Sequence, residues 1–193
     1  MTCEVTAKIL CDKETAFEIV KSGGFRLLKT FTQVSSYWTH LPADKPIRYK
    51  KLLDNSVLVR DSTYKDNTKE AQLVYKDKAC DENENVVAEK KTICAIENAE
   101  VANNIFKVAG FRNWVTTDVE FYIFVKGRLG FCIKDVDDLG LYIEVEQRGD
   151  TIGKTIGELT EIAKTLNLPL GDDFGAKIPY LLYMKQRHSH KVQ

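Results

Sequence analysis

The sequence predicts an α+β domain whose antiparallel strands form a closed barrel or a strongly curved sheet, with helices packed outside. Three observations point there. Stretches that alternate apolar and polar residues recur along the chain and outnumber the helical stretches. No linker or low-complexity segment divides the chain. A weak internal echo is present: Gly24-Phe25-Arg26 and Gly110-Phe111-Arg112 each follow a strand and a helix and precede another strand. Two matched halves, many antiparallel strands and few helices favour closure or strong curvature. Residues 1–186 read as one domain and residues 187–193 as a polar tail.

The elements follow in order. Residues 4–10 alternate, with Glu4, Thr6 and Lys8 on one face and Val5, Ala7 and Ile9 on the other. Asp12 is an N-cap for a helix over 12–22, which Gly23-Gly24 ends. Phe25 to Trp38 is extended. Residues 56–60 and 71–76 are short strands around a polar turn at Lys65-Asp66-Asn67, and 86–96 is a strand after a polar connection from Lys78 to Asn85. Asn98 opens a helix with Val101, Ile105 and Val108 on one face, ended by Gly110. Residues 114–125, 129–134 and 141–147 are strands, joined by turns at Lys126-Gly127-Arg128 and at Asp137-Asp138 to Gly140. Thr155 and Glu158 form a capping box for a helix over 156–166. Pro179 begins a short last helix.

Bulk properties exclude several classes. The 193 residues carry 28 Lys plus Arg and 28 Asp plus Glu, so the net charge is zero. Nucleic acid bound over the outer surface would need an excess of positive charge. A small polyanion inside a pocket needs only a few well-placed cations. The five cysteines (Cys3, Cys11, Cys80, Cys94 and Cys132) are odd in number and contain no Cys-x-x-Cys, which indicates a reducing compartment and no zinc knuckle. The chain enters a strand almost at once, leaving no room for a signal peptide, and the run Phe121 to Val125 is far short of a membrane span. A cytoplasmic, soluble protein with no membrane partner is expected.

Histidine chemistry has little to work with. His40 lies in the body of the chain, and His188 and His190 lie in the tail. Gly149-Asp150-Thr151-Ile152-Gly153-Lys154-Thr155 resembles a Walker A loop but is one residue short between its glycines, so it reads as an ordinary strand-to-helix turn.

Charges recur instead on alternate strand positions. Glu4 and Lys8 share a face; Arg60 and Lys76 end the runs Val57-Leu58-Val59 and Leu73-Val74-Tyr75; Lys90 shares a face with Val86, Ala88 and Thr92; Glu144 and Glu146 share one with Tyr142. On an open sheet these would be a solvated face. In a barrel with its apolar faces packed outward they line the interior, and buried charge needs a partner or an ion. A polyphosphate with Mg²⁺ or Mn²⁺ would satisfy both signs.

These segments resemble a family. Glu4-Val5-Thr6-Ala7-Lys8 is similar to the E-x-E-x-K signature of the CYTH superfamily, the triphosphate tunnel metalloenzymes. Its members include class IV adenylate cyclases, thiamine triphosphatases and inorganic triphosphatases. Val57 to Arg60 and Leu73 to Lys76 resemble its strands ending in Arg and Lys. Lys90 matches a basic position on the next strand, Leu139 to Glu146 its L-G-x-[FY]-x-E-x-E strand, and Lys177 to Leu182 its closing K-x-x-Y-x-x-L segment. The resemblance implies an eight-stranded antiparallel barrel open at both ends. Glu4, Glu144 and Glu146 would be metal ligands, and Lys8, Arg60, Lys76 and Lys90 would bind the substrate's phosphates.

The departures are equally specific. Thr6 replaces the second Glu of the signature, Thr92 another Glu, and Val119 and Phe121 a Lys-x-Arg pair. Lys134 falls where the family has a metal-binding Asp, unless a one-residue slip places Asp135 there. The resemblance nonetheless implies metal-dependent phosphotransfer on a nucleoside or organic triphosphate, of the adenylate cyclase or triphosphatase kind. ATP, thiamine triphosphate and tripolyphosphate are the candidate ligands, and the protein would be a monomer or homodimer. Tyr142, Phe121 and Trp114 are candidates to stack a base. The alternatives are a weakly active or inactive nucleotide or polyphosphate binder, and a barrel used as a protein-interaction scaffold.

Overall fold

The computed structural model describes residues 2–42, 49–80 and 86–189. The alternating segments become eight strands: β1 (Glu4–Lys8), β2 (Arg26–Thr39), β3 (Val57–Tyr64), β4 (Lys69–Cys80), β5 (Val86–Ile96), β6 (Arg112–Lys126), β7 (Leu129–Val136) and β8 (Gly140–Glu146). They form one antiparallel sheet in the order β1-β8-β7-β6-β2-β3-β4-β5. The pairing of β2 with β6 shifts register between Leu27 and Lys29 and between Tyr37 and Trp38. Such irregularities bend a strand and increase its twist, which helps the sheet curl.

The curl is an open half-barrel, not the closed barrel expected. The outer strands β1 and β5 share no continuous ladder. They meet at one bridge, where the Thr2 amide donates to the Glu89 carbonyl at 2.9 Å and the Glu89 amide to Thr2 at 2.7 Å. The rest of the β1 edge is taken by a later segment: the Thr6 amide donates to the Phe174 carbonyl at 3.0 Å, and the Ala176 amide to the Thr6 carbonyl at 3.2 Å. Backbone groups paired there are not available to β5.

Among the described residues five α-helices accompany the sheet: α1 (Lys13–Ser22), α2 (Tyr49–Asp54), α3 (Ala99–Val108), α4 (Ile156–Lys164) and α5 (Ile178–Ser189). On the convex side α1 and α4 bury Ala16, Val20, Leu159 and Ala163 against Val5, Ala7, Ile133, Ile143 and Val145. The small residues Ala99 and Ala102 seat α3 on Trp38 and Val59. The stripe Val101, Ile105 and Val108 does share a helix face, but that face is exposed. At one end of the concave side, Leu52, Leu53, Ile178, Leu182 and Tyr183 pack with Tyr37, Leu58, Val74 and Trp114 as an apolar plug. No helix among the described residues is long and apolar enough to cross a membrane.

Local signals account for most boundaries. Asp12 accepts from the Thr15 amide at 2.8 Å, Asn98 from the Val101 amide at 3.0 Å, and both capping-box bonds join Thr155 and Glu158. The Walker-like stretch is an ordinary turn, with a 3-10 helix over Gly149–Thr151 leading to α4. Three expectations change. The six-residue α2 has no counterpart in the sequence reading, α5 runs to Ser189 instead of being short, and β3 and β4 extend beyond the runs read as strands. Arg187, His188 and Ser189, placed by the sequence reading in the tail, continue α5, and His190 to Gln193 lie outside the described residues.

The internal echo has a structural meaning. Gly24 and Gly110 both take left-handed backbone, with φ of 82° and 84°. After α1 the Phe25 amide reaches the Val20 carbonyl and the Gly24 amide that of Lys21; after α3 the Phe111 amide reaches Phe106 and the Gly110 amide Lys107. These are two copies of the Schellman motif, and each delivers the chain into one of the paired strands β2 and β6. A Cβ on Gly110 would meet nothing within 4 Å. The cost of Gly110→Ala is thus backbone strain alone, about 1–2 kcal/mol. Urea denaturation should show that loss; an unchanged midpoint would refute the left-handed assignment.

Candidate functional site

The period of two puts matching charges on the concave face. Glu4 and Thr6 come from β1, Arg60 from β3, Lys76 and Lys78 from β4, Lys134 from β7 and Glu144 and Glu146 from β8, with Glu89 and Lys91 from β5. Lys177, just before α5, joins them. They surround two adjoining cavities of about 100 and 190 Å³ that share Arg60, Lys76, Lys134 and Glu144 in their walls. Val119 and Phe121 form an apolar side of the first cavity.

Each carboxylate in the cavity has a cation on it. Lys76 Nζ lies 3.0 Å from Glu89 Oε1. Lys91 Nζ lies 3.1 Å from Glu89, 3.7 Å from Glu146 and 4.0 Å from Glu4. Lys134 Nζ donates to Glu144 Oε2, with both side chains almost enclosed. Arg148 pairs with Glu146 at 3.1 Å. Burial pushes the Glu4 carboxyl up, but the ammonium groups of Lys76, Lys134, Lys177 and Lys91 outweigh it and hold Glu4 well below the usual carboxylate range. Burial likewise opposes the charge on Lys134, and Glu144 and Glu4 overcome it, raising its pKa.

Other cations lack such partners. Arg60 and Lys177 have no carboxylate in ion-pair contact among the described residues, and the buried Arg60 Nε has no acceptor at all. Lys78 donates to the main-chain carbonyls of Leu53 at 3.1 Å and Lys76 at 3.3 Å. Burial, and then repulsion from Lys76, pulls its pKa down to about 8.

Solved structures share this architecture. The PH1819 protein of Pyrococcus horikoshii superposes with a TM-score of 0.70 at 19% identity, over 94% of this chain and 98% of its own. The PH1012 protein of the same organism gives 0.64 at 17% identity, over 91% and 97%. A candidate adenylate cyclase of Vibrio parahaemolyticus gives 0.58 at 12% identity, over 88% and 92%. At these identities the likeness is one of fold alone. No family model and no curated protein matches the sequence.

The structure brings most of the expected residues together. Glu4, Glu144 and Glu146 converge, and Arg60 and Lys76 line the same space. Lys8 does not join them. It shares the face of Glu4, but four residues of strand separate the two by about 13 Å. Its ammonium sits 4.8 Å from the Tyr142 ring centroid and donates to the Leu139 carbonyl. Lys90 also lies elsewhere: it is exposed on the opposite face of β5, and its neighbours Glu89 and Lys91 turn inward. Between Lys134 and Asp135, Lys134 is the inward residue, while Asp135 binds Lys13 of α1 at 2.8 Å. Of the three aromatic candidates, Trp114 and Tyr142 belong to the apolar plug, and Phe121 lines the cavities stacked on Phe31 at 4.7 Å. Glu89, Lys91 and Lys78 are absent from the sequence reading of the site; Lys78 carries a signal in its two-residue spacing from Lys76, whereas Glu89 and Lys91 flank a third charge and carry none.

The carboxylate oxygens of Glu4, Glu144 and Glu146 lie within 4.8 Å of one another, a spacing that suits one divalent cation. The donor set as folded does not fit one, because Lys134 is hydrogen-bonded to Glu144 and Lys91 approaches the other two.

The buried amine of Lys78 gives a signed prediction. Its folded pKa near 8 lies below the unfolded value of about 10.4. Between those values the unfolded chain binds more protons, so this group makes stability rise with pH across that window. Lys78→Met should flatten the rise and add about 1–2 kcal/mol at pH 7, less than the full shift because the side chain keeps some solvent. Urea titrations from pH 7 to 10 check it; an unaltered pH slope would show that Lys78 is not the group responsible.

Proposed function

We propose that this chain takes a small molecule bearing a triphosphate group into the concave cavity. The observation that carries the reading is Arg60: a half-buried guanidinium in the cavity wall, its Nε buried without an acceptor and, among the described residues, with no carboxylate in ion-pair contact. A buried donor without a partner is costly. An anion entering the cavity would supply the missing partner, and a phosphoryl oxygen suits the planar fork of Arg. Lys177 and Lys78 face the same space, so an incoming polyanion meets several cations that are not already matched by carboxylates.

Phosphotransfer on a nucleoside or organic triphosphate is the activity we infer from the fold, since a candidate adenylate cyclase shares it. A triphosphatase is the other form of that reading. The contact of Lys134 with Glu144 favours a second reading, a binder with slow or no turnover, because it occupies the carboxylates that a catalytic metal would use.

A melting-point panel of tripolyphosphate, ATP and thiamine triphosphate tests the binding. Ligand at one hundred times its dissociation constant should add about 2.7 kcal/mol of stability. Arg60→Ala should weaken that ligand by about 10- to 100-fold, as expected for a charged hydrogen bond worth about 1.5–3 kcal/mol. The absence of any shift across the panel would rule the reading out. Release of phosphate or pyrophosphate from bound ATP separates the enzyme from the binder.

A further inference from the structure

We propose that Lys134 and Lys91 replace the divalent cation in this site, so that the triphosphate is held as the metal-free anion. The inference rests on the triphosphate reading above and concerns how the same cavity balances charge. A divalent cation in such a site has two tasks: it neutralises the converging carboxylates, and it presents positive charge to the phosphoryl oxygens. Here both are performed by the chain's own side chains. Lys134 covers Glu144. Lys91 covers Glu146 at 3.7 Å and Glu4 at 4.0 Å, and holds Glu89 at 3.1 Å.

Lys134 is held inside the sheet. The Lys134 side chain is 13% exposed and that of Glu144 is 14% exposed, so the pair is enclosed by the sheet. The Phe121 ring lies against the same ammonium, its centroid 5.4 Å away. Turning Lys134 out to solvent would leave Glu144 buried without its partner, which is unfavourable. A cation placed among the three carboxylates with Lys134 in position would sit a few ångströms from an ammonium and be repelled.

The remaining charges support the same balance. Basic side chains from Arg60, Lys76, Lys78, Lys177 and Arg148 face the two cavities in addition to Lys134 and Lys91, whereas the acidic ones are Glu4, Glu89, Glu144 and Glu146. The lining is positive in a chain whose net charge is zero. That surplus suits an anion arriving without a counter-cation. An anion carrying its own divalent metal would bring less charge to the unpaired Arg60 and Lys177 and more repulsion to Lys134.

The test is a calorimetric titration of the full chain with tripolyphosphate, in EDTA and again with Mg²⁺ or Mn²⁺. The expected apparent affinity is highest in EDTA and falls when Mg²⁺ or Mn²⁺ is added, because the metal competes with the site for the free anion, and Mn²⁺ alone gives no saturable binding. Tripolyphosphate binding that is as tight or tighter with metal, or saturable Mn²⁺ binding by the natural protein, would overturn the inference and leave the triphosphate reading standing. Absence of binding under both conditions would overturn both. Lys134→Met should lose tenfold or more of the metal-free affinity and recover it when Mn²⁺ is added; Lys134→Arg, which keeps the charge, should behave as the natural protein and bind most tightly without metal. Metal-free binding by Lys134→Met equal to that of the natural protein, with its melting transition intact, would also contradict the assignment.

Discussion

The position of Lys91 across the seam of the sheet is the constraint on which the rest of the site depends. Among the described residues one backbone bridge, from Thr2 just ahead of β1 to Glu89 of β5, joins the two edges, so little main-chain pairing holds them together. Side-chain charge spans the gap instead. One ammonium on β5 reaches Glu4 on β1 and Glu146 on β8, and also Glu89 two residues before it. Glu89 is in turn the residue whose backbone makes the bridge to Thr2. The point where the sheet nearly closes and the point where its charges converge are therefore the same place. An anion drawn to Lys91 or Lys76 would compete with Glu89 for them, which couples ligand binding to the seam.

The two ends of the concave face divide the work. At one end α2 and α5 fill the curve with Leu52, Leu53, Ile178 and Leu182, burial that stabilises the domain without help from charge. The segment that leads into α5 passes along β1 and takes the hydrogen bonds that would otherwise have joined β1 to β5. It also carries Lys177 into the cavity. The same stretch thus keeps the half-barrel open, plugs one end and contributes a cation. Beyond the plug the interior is polar, and buried ion pairs of that kind are a weak source of stability, since well-packed apolar residues in their place are often as stable or more so.

How far the sequence revealed this follows from period and contrast. The faces of β1 and β8 were legible because apolar and charged residues alternate cleanly, so Glu4, Glu144 and Glu146 came out on the inside. In β5 the contrast fails: Glu89, Lys90 and Lys91 are consecutive charges, and β-periodicity alone does not say which of them turns inward. Lys90, the residue that the resemblance selects, is exposed, and Lys91, one residue on, lines the cavity. Lys8 lay on the correct face but too far along it, a matter of strand rise that facing arguments ignore. Six-residue α2 is too short to show a helical period, and the capture of the β1 edge by residues 174–176 is a tertiary event with no local signal. The inward turn of Lys134, left open with Asp135 by the sequence, is settled by the pairing of β7 with β6 and β8 and by Lys13, which draws Asp135 to the convex side.

The most direct measurement is a crystal structure of the protein soaked with tripolyphosphate and Mn²⁺, with data collected where manganese scatters anomalously. The account predicts phosphoryl oxygens on Arg60, Lys76 and Lys134, with no anomalous peak among Glu4, Glu144 and Glu146. A manganese peak bridging those three carboxylates, with Lys134 displaced from Glu144, would contradict it.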